Sequence, residues 1–143
     1  MINHEYGSYL TETFYWNIFL APNQSNIGTC VIALKRKSIE LSDLTDHEWS
    51  EFSIIVKKLE KSLIKAFNAT MFNWGCLMNA SYLKESPDPH IHWHFIPRYD
   101  HIVKFEDVTF DDPYFGHMFP RPDKKVSDKV REKITEKLLE NME

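Results

Sequence analysis

Fenced by prolines at positions 87, 89 and 97, the chain reads His90-Ile91-His92-Trp93-His94-Phe95-Ile96, a strict alternation of imidazole and apolar side chains. Successive side chains on a strand point to opposite faces, so His90, His92 and His94 share one face while Ile91, Trp93 and Phe95 take the other. The aromatic and β-branched content and the flanking prolines predict a half-buried strand over about 90–97 rather than helix or loop. Such a chain must build a sheet with a core behind one face and a row of imidazoles in front of the other.

The imidazole is the side chain whose ordinary pKa lets it serve near neutrality as a nucleophile, an acceptor or a charged donor. A shared metal is one reading of the row. The first and third Cα atoms of an extended strand lie roughly 13 Å apart, however, at about 3.3 Å per residue, whereas a Zn–N bond is about 2 Å long. Three-fold chelation from one straight strand is strained. An extended phosphate chain matches the row better, because its oxygens recur along its length. The middle imidazole would attack phosphorus while its neighbours stabilise the charge that develops on oxygen. His4, His47, His101 and His117 are isolated and read as ordinary surface or packing residues, with His117 the one that could still reach the site.

With 143 residues, 43% of them hydrophobic, the chain can bury one core. No apolar stretch approaches the ~20 residues of a membrane span, and the start lacks a basic-plus-apolar leader, so a cytoplasmic protein without membrane contact is expected. The net charge of −4 argues against gripping a nucleic-acid polymer through a basic surface and leaves small nucleotides open. Arg98 could then add local positive potential. Cys30 and Cys76 form neither a Cys-x-x-Cys pair nor a disulfide framework and read as buried thiols.

Residues 14–20 and 29–34 read as two strands joined by the polar turn Pro22-Asn23-Gln24-Ser25-Asn26-Ile27-Gly28. Thr45-Asp46-His47-Glu48 is a capping box opening a helix whose stripe of Trp49, Phe52, Val56, Leu59, Leu63 and Ala66 covers the sheet. Residues 72–79 read as a strand ending at Asn79, and 80–88 as a connection, one possible wall of the site. Residues 98–125 read as irregular, their aromatics (Phe105, Phe110, Tyr114, Phe115 and Phe119) interrupted by Gly116 and Pro120-Arg121-Pro122. A loop of this length, centred on 101–120, is expected to close the site or meet another subunit. Ser127 opens a terminal helix with Val126, Val130, Ile134, Leu138 and Met142 on one stripe, expected to dock on the domain or a partner.

His90-Ile91-His92-Trp93-His94-Phe95-Ile96 resembles the signature His-φ-His-φ-His-φ-φ, φ being apolar, of the histidine triad (HIT) superfamily of nucleotide hydrolases and transferases. Pro97-Arg98 continues it as in many members. Asn79, eleven residues before His90, falls where the family places an Asn or Gln that contacts phosphate. Gly28 to Arg36 is similar to the family segment Gly-His-x-φ-φ-φ-Pro-Lys, and Leu41-Ser42-Asp43-Leu44 follows at the family's interval, so the resemblance spans roughly 14–99. Two positions depart from it. The family's fourth histidine falls at Thr29, and a phosphate-touching serine falls at Pro87, with Ser86 beside it.

The resemblance implies an α+β HIT-like fold, an antiparallel sheet with a long central helix and a C-terminal helix. Residues 1–143 would form a single domain, with the loop and helix of 98–143 following the triad strand. It further implies His92 as a nucleophile forming a nucleotidyl-imidazole, with His90 and His94 orienting it and binding phosphate oxygens; the chemistry also asks for a general acid to protonate the leaving group, for which His94 or His90 is the candidate. Asn79, Ser86 and Thr29 would hold substrate, Phe19 and Val31 would line a base pocket, and Asn23 or Asn26 would meet the sugar. The scheme needs no metal or cofactor. The expected substrate is a small nucleotide, a dinucleoside polyphosphate such as diadenosine tetraphosphate or a nucleoside phosphoramidate, handled by a homodimer. A nucleotide-binding module with little turnover is the opposing reading, and metal storage a third.

Overall fold

The computed structural model describes residues 2–117, 125 and 127–141. Met118, Phe119 and Pro120-Arg121-Pro122 of the aromatic segment, Val126 and Met142 of the terminal stripe, and the side chain of Leu138 lie outside the described residues.

Five strands make one antiparallel sheet in the order β1-β2-β3-β5-β4: β1 Ser8–Glu12, β2 Trp16–Leu20, β3 Cys30–Leu34, β4 Met71–Gly75 and β5 His92–Arg98. Between β3 and β4 in the chain runs the 22-residue helix α1, Asp46–Phe67. Its N-terminus carries the expected capping box. The Thr45 hydroxyl accepts from the Glu48 N–H, and the Glu48 carboxylate accepts from the Thr45 N–H. Helix and sheet meet across a core of Trp16, Ile18, Cys30, Ile32, Leu34, Phe52, Ile55, Leu59, Leu63 and Phe95, with Trp93 packed against it. This is the expected α+β architecture, although the histidine strand runs His92–Arg98 rather than 90–97, so that His90 and Ile91 precede it.

The helix stripe is rotated slightly from the sequence reading. Ile55 is buried while Trp49 and Ala66 are exposed, because 3.6-residue periodicity carries the face from Phe52 through Ile55, Leu59 and Leu63 to Phe67, which packs against the core. Beside the buried face of α1, the half-buried Glu51 carboxylate accepts the N–H groups of Phe14 and Tyr15. These residues therefore form a turn, and β2 starts at Trp16 rather than 14.

Gly28 explains how β3 comes so close to the helix. It has φ +91°, and a Cβ there would lie 2.1 Å from Leu63 Cδ1, so only glycine permits this packing.

Two other expectations are corrected. β4 stops at Gly75, where its last partner is His94, so Asn79 does not end a strand but opens a 3₁₀ turn, Asn79–Leu83. Residues 98–125 are not wholly irregular either. β6 Val103–Phe105 and β7 Val108–Phe110 form a hairpin whose turn residues Glu106 and Asp107 both have positive φ. Helix α2, Asp128–Glu140, begins after Ser127, whose carbonyl accepts from the Arg131 N–H. Every described side chain of α2 is exposed.

Among the described residues, no helix is long and apolar enough to cross a membrane.

Candidate active site

Cross-strand partners share a face, and the register pairs Ala33 with His92, Val31 with His94 and Phe19 with Val31. His92 and His94 therefore stand on the sheet face opposite α1, beside a small apolar floor of Phe19, Ala21, Val31 and Ala33. Phe19 and Val31, expected to line a pocket, are on this floor and buried. On the other side, Gly75 faces His94 and presents no side chain.

The hydrogen bonds fix what each imidazole can do. His92 Nδ1 lies 2.7 Å from the carbonyl oxygen of His90. A carbonyl only accepts, so Nδ1 carries the proton and Nε2 of the neutral ring is left as a bare in-plane lone pair. His90 Nε2 likewise donates to the Leu34 carbonyl at 2.6 Å, while its Nδ1 is buried without a hydrogen-bond partner among the described residues. His90 thus orients His92 through its backbone carbonyl, its own ring donor being spent on β3. The His94 ring is 5.1 Å from that of His92 at 74°. Burial, and then the adjacent His92, pull its pKa below the ordinary histidine value, so it favours the neutral form. A neutral His94 still offers one ring N–H.

The remaining candidates are dispersed. The Thr29 hydroxyl donates to the Asn26 carbonyl at 2.6 Å, so it closes a turn instead of buttressing an imidazole. The Asn26 amide donates to the Pro97 carbonyl and to Asp112, and Asn23 accepts from the Ser25 N–H within the same β2–β3 connection. Both asparagines are occupied in holding that connection. Asn79 and Ser86 are exposed on the 3₁₀ turn and the loop after it, which Asp88 fastens through an ion pair with Lys37 and a bond from its N–H to Ser81 Oγ.

Arg98 does not supply free positive potential. Its five N–H groups go to Asp112, Asn73 and the carbonyls of Tyr114 and His117. That ion pair fastens the aromatic segment to the end of β5, where the His117 side chain is exposed. The Cys30 thiol is buried and its pKa pushed up to about 12, consistent with a structural role, whereas Cys76 is half-buried. Among the described residues, no group of three or more His, Cys, Asp or Glu side chains could hold a metal ion.

In the N-terminal segment the sequence reading took His4 as an ordinary surface or packing residue and missed Tyr6. Tyr6 stacks on His92, with ring centroids 4.8 Å apart at 23°, and His4 stacks on Phe19 at 4.7 Å. A tyrosine and a histidine two residues apart carry no motif, and Gly7 was the one local signal of a fixed turn there.

The family model of the HIT domain matches residues 11–101. No curated protein sequence matches the chain. Among solved structures, a HIT family protein from Bacillus anthracis superposes with a TM-score of 0.64 at 20% identity, over 95% of this chain and 88% of that one. The histidine triad nucleotide-binding protein of Candida albicans gives 0.61 at 23% identity, over 94% and 87%. The diadenosine triphosphate hydrolase of Plasmodium falciparum, solved with cyclomarin A, gives 0.52 at 20% identity, over 66% and 63%. With the family model covering most of the sheet, α1 and the whole histidine row, the chain belongs to the HIT-domain family.

Proposed function

We propose that the protein is a nucleotidyl hydrolase or transferase acting at the α-phosphorus of a small nucleotide, with His92 as the nucleophile. The observation that carries this reading is the bond from His92 Nδ1 to the His90 carbonyl, which leaves Nε2 of the neutral ring unprotonated on the sheet face opposite α1. A phosphoanhydride or phosphoramidate fits such a site, because either offers an α-phosphorus with a departing group.

In the first step the Nε2 lone pair forms an N–P bond while the bond from phosphorus to the leaving group breaks, its electron pair departing with that group. A phosphate leaving group needs no proton near neutrality. An amine does, and solvent or a histidine N–H supplies it. Water then attacks phosphorus, the N–P pair returns to Nε2, and a nucleoside monophosphate and a proton are released. Splitting one displacement into two lowers the barrier to each. His94 donates its N–H to a non-bridging oxygen, whereas Phe19 and Val31 are buried, with the rings of His4 and Tyr6 already against Phe19, so the expected base pocket is closed in this arrangement.

Diadenosine polyphosphates are the first substrate class, nucleoside phosphoramidates the second. A cytoplasmic homodimer remains part of the reading; the dimer is supported by the outer edge of β4, which carries half-buried side chains and has no neighbouring strand among the described residues. A slow nucleotide-binding module is favoured by one observation, the engagement of Thr29 with Asn26 in place of any support to the triad.

Incubation with diadenosine tetraphosphate, an alkaline denaturing quench and peptide mass spectrometry test the proposal. An adenylyl group on His92 is expected. Nucleotide binding without adduct or turnover on any phosphoanhydride or phosphoramidate would replace the enzyme with the module.

A further inference from the structure

Tyr6 is held over His92 by a turn with little freedom. The His4 carbonyl accepts from the Gly7 N–H, His4 Nδ1 accepts from the Tyr6 N–H, and the Asn3 side chain accepts from the Tyr9 N–H. Gly7 has φ +121°, and a Cβ at that position would lie 1.9 Å from the Leu20 carbonyl oxygen, so the turn sits directly on the β2 backbone. The Tyr6 ring then packs edge-on against Phe19 at 5.9 Å and nearly parallel to the imidazole of His92.

Stacking of this kind covers one face of the imidazole and leaves its edge free. The nucleophilic lone pair lies in the ring plane, so the covered face is not the one phosphorus approaches. When Nε2 forms its bond to phosphorus, Nδ1 keeps the proton it gives to the His90 carbonyl, and the ring becomes a cation. An aromatic face beside a cation attracts it through the ring quadrupole.

We propose that Tyr6 is a positioning residue for His92, fixing the imidazole plane and stabilising the positive charge the ring acquires in the nucleotidyl intermediate. The inference rests on His92 being the nucleophile. It adds to the triad a residue that acts through His92 and has no need to touch the nucleotide.

Replacement of Tyr6 by phenylalanine and then by mono-, di- and trifluorinated phenylalanines keeps ring size and weakens the quadrupole stepwise. Two quantities are read for each variant. One is the single-turnover rate of adenylyl adduct formation on His92. The other is the fraction of His92 in the charged form at one fixed, mildly acidic pH, from its ring ¹⁵N shifts. Tyr6→Phe is expected to stay within about twofold of the parent in rate, and Tyr6→Leu to slow adduct formation roughly 3- to 30-fold with nucleotide affinity retained. Rate and charged fraction are both expected to fall along the fluorinated series, which a purely packing role would leave flat. A charged fraction independent of fluorination overturns the proposal whatever the rates do. A charged fraction that falls, with no adduct formed by the parent protein on any nucleotide, keeps the Tyr6 contact and overturns the nucleotidyl reading instead.

Discussion

The two ends of β5 carry polar side chains on the same sheet face and treat them in opposite ways. At the C-terminal end, Arg98 is buried with every N–H bonded, and Asp112 accepts from Arg98, Tyr99 and Asn26. At the N-terminal end, the bond made by His92 Nδ1 leaves Nε2 as a bare lone pair, and just before the strand His90 Nδ1 is buried without a partner among the described residues. Burying unsatisfied polar atoms costs stability, a cost that the Arg98 end avoids; among the described residues the buried side-chain atoms left without a partner are His90 Nδ1 and, on the core face, Trp93 Nε1. The aromatic segment is fastened to the saturated end, and the N-terminal turn packs on the histidine end.

The contrast is broken most severely by removing its reactive group. His92→Ala is expected to lower turnover on the order of 10⁴-fold or more with the thermal midpoint close to that of the parent, measured by product release and calorimetry. The opposite pattern is expected at the other end. Asp112→Ala strands a buried guanidinium and should cost about 3–5 kcal/mol in urea unfolding, while activity per folded molecule changes little. If the two variants lost activity and stability alike, the ends would not differ in kind.

Smaller effects sharpen the comparison. Glu48, at the start of α1, is 1% exposed and held down to about pKa 2 by its bond to Arg36, with burial opposing and Thr45 assisting. A carboxylate with a depressed folded pKa stabilises above its ordinary value of 4.5, and that contribution is lost as pH falls from there toward about 2. Glu48→Gln keeps the capping pattern and should flatten this acid limb, at a cost of about 1–3 kcal/mol near neutrality for the lost charged bond. Urea unfolding at a series of pH values reads both. The smallest effect is at His94, whose NMR titration midpoint is expected below 6.5, because burial and His92 disfavour its cation. A midpoint above 6.5 would make it a charged donor instead of a neutral one.

What the sequence made legible was periodic or chemically explicit. The alternation from His90 to Phe95 predicts the half-buried strand that becomes β5 and its two faces, and Thr45-x-x-Glu48 marks where α1 begins. The site was legible to the same extent, since His92, His94, Phe19 and Val31 fall on one face by register. The rest depends on contacts remote in sequence. Three-residue strands around a Glu106-Asp107 turn show neither enough alternation nor the usual Asn-Gly signal. The partnership of Arg98 with Asp112 spans 14 residues of unpatterned chain, and that of Tyr6 with His92 joins a terminus to the centre of the sheet. Asn26 and Thr29 read as substrate contacts because polarity alone does not reveal that each is already bonded within the fold.

The central claim is that the fold holds His92 with Nδ1 protonated and Nε2 bare. A long-range ¹H–¹⁵N spectrum of the protein at a pH where the ring is neutral reads this directly. The expected result is one protonated nitrogen at Nδ1 and one unprotonated nitrogen at Nε2, with an adenylyl group later bonded to the latter. A proton on Nε2, or an adduct on Nδ1, would contradict the account.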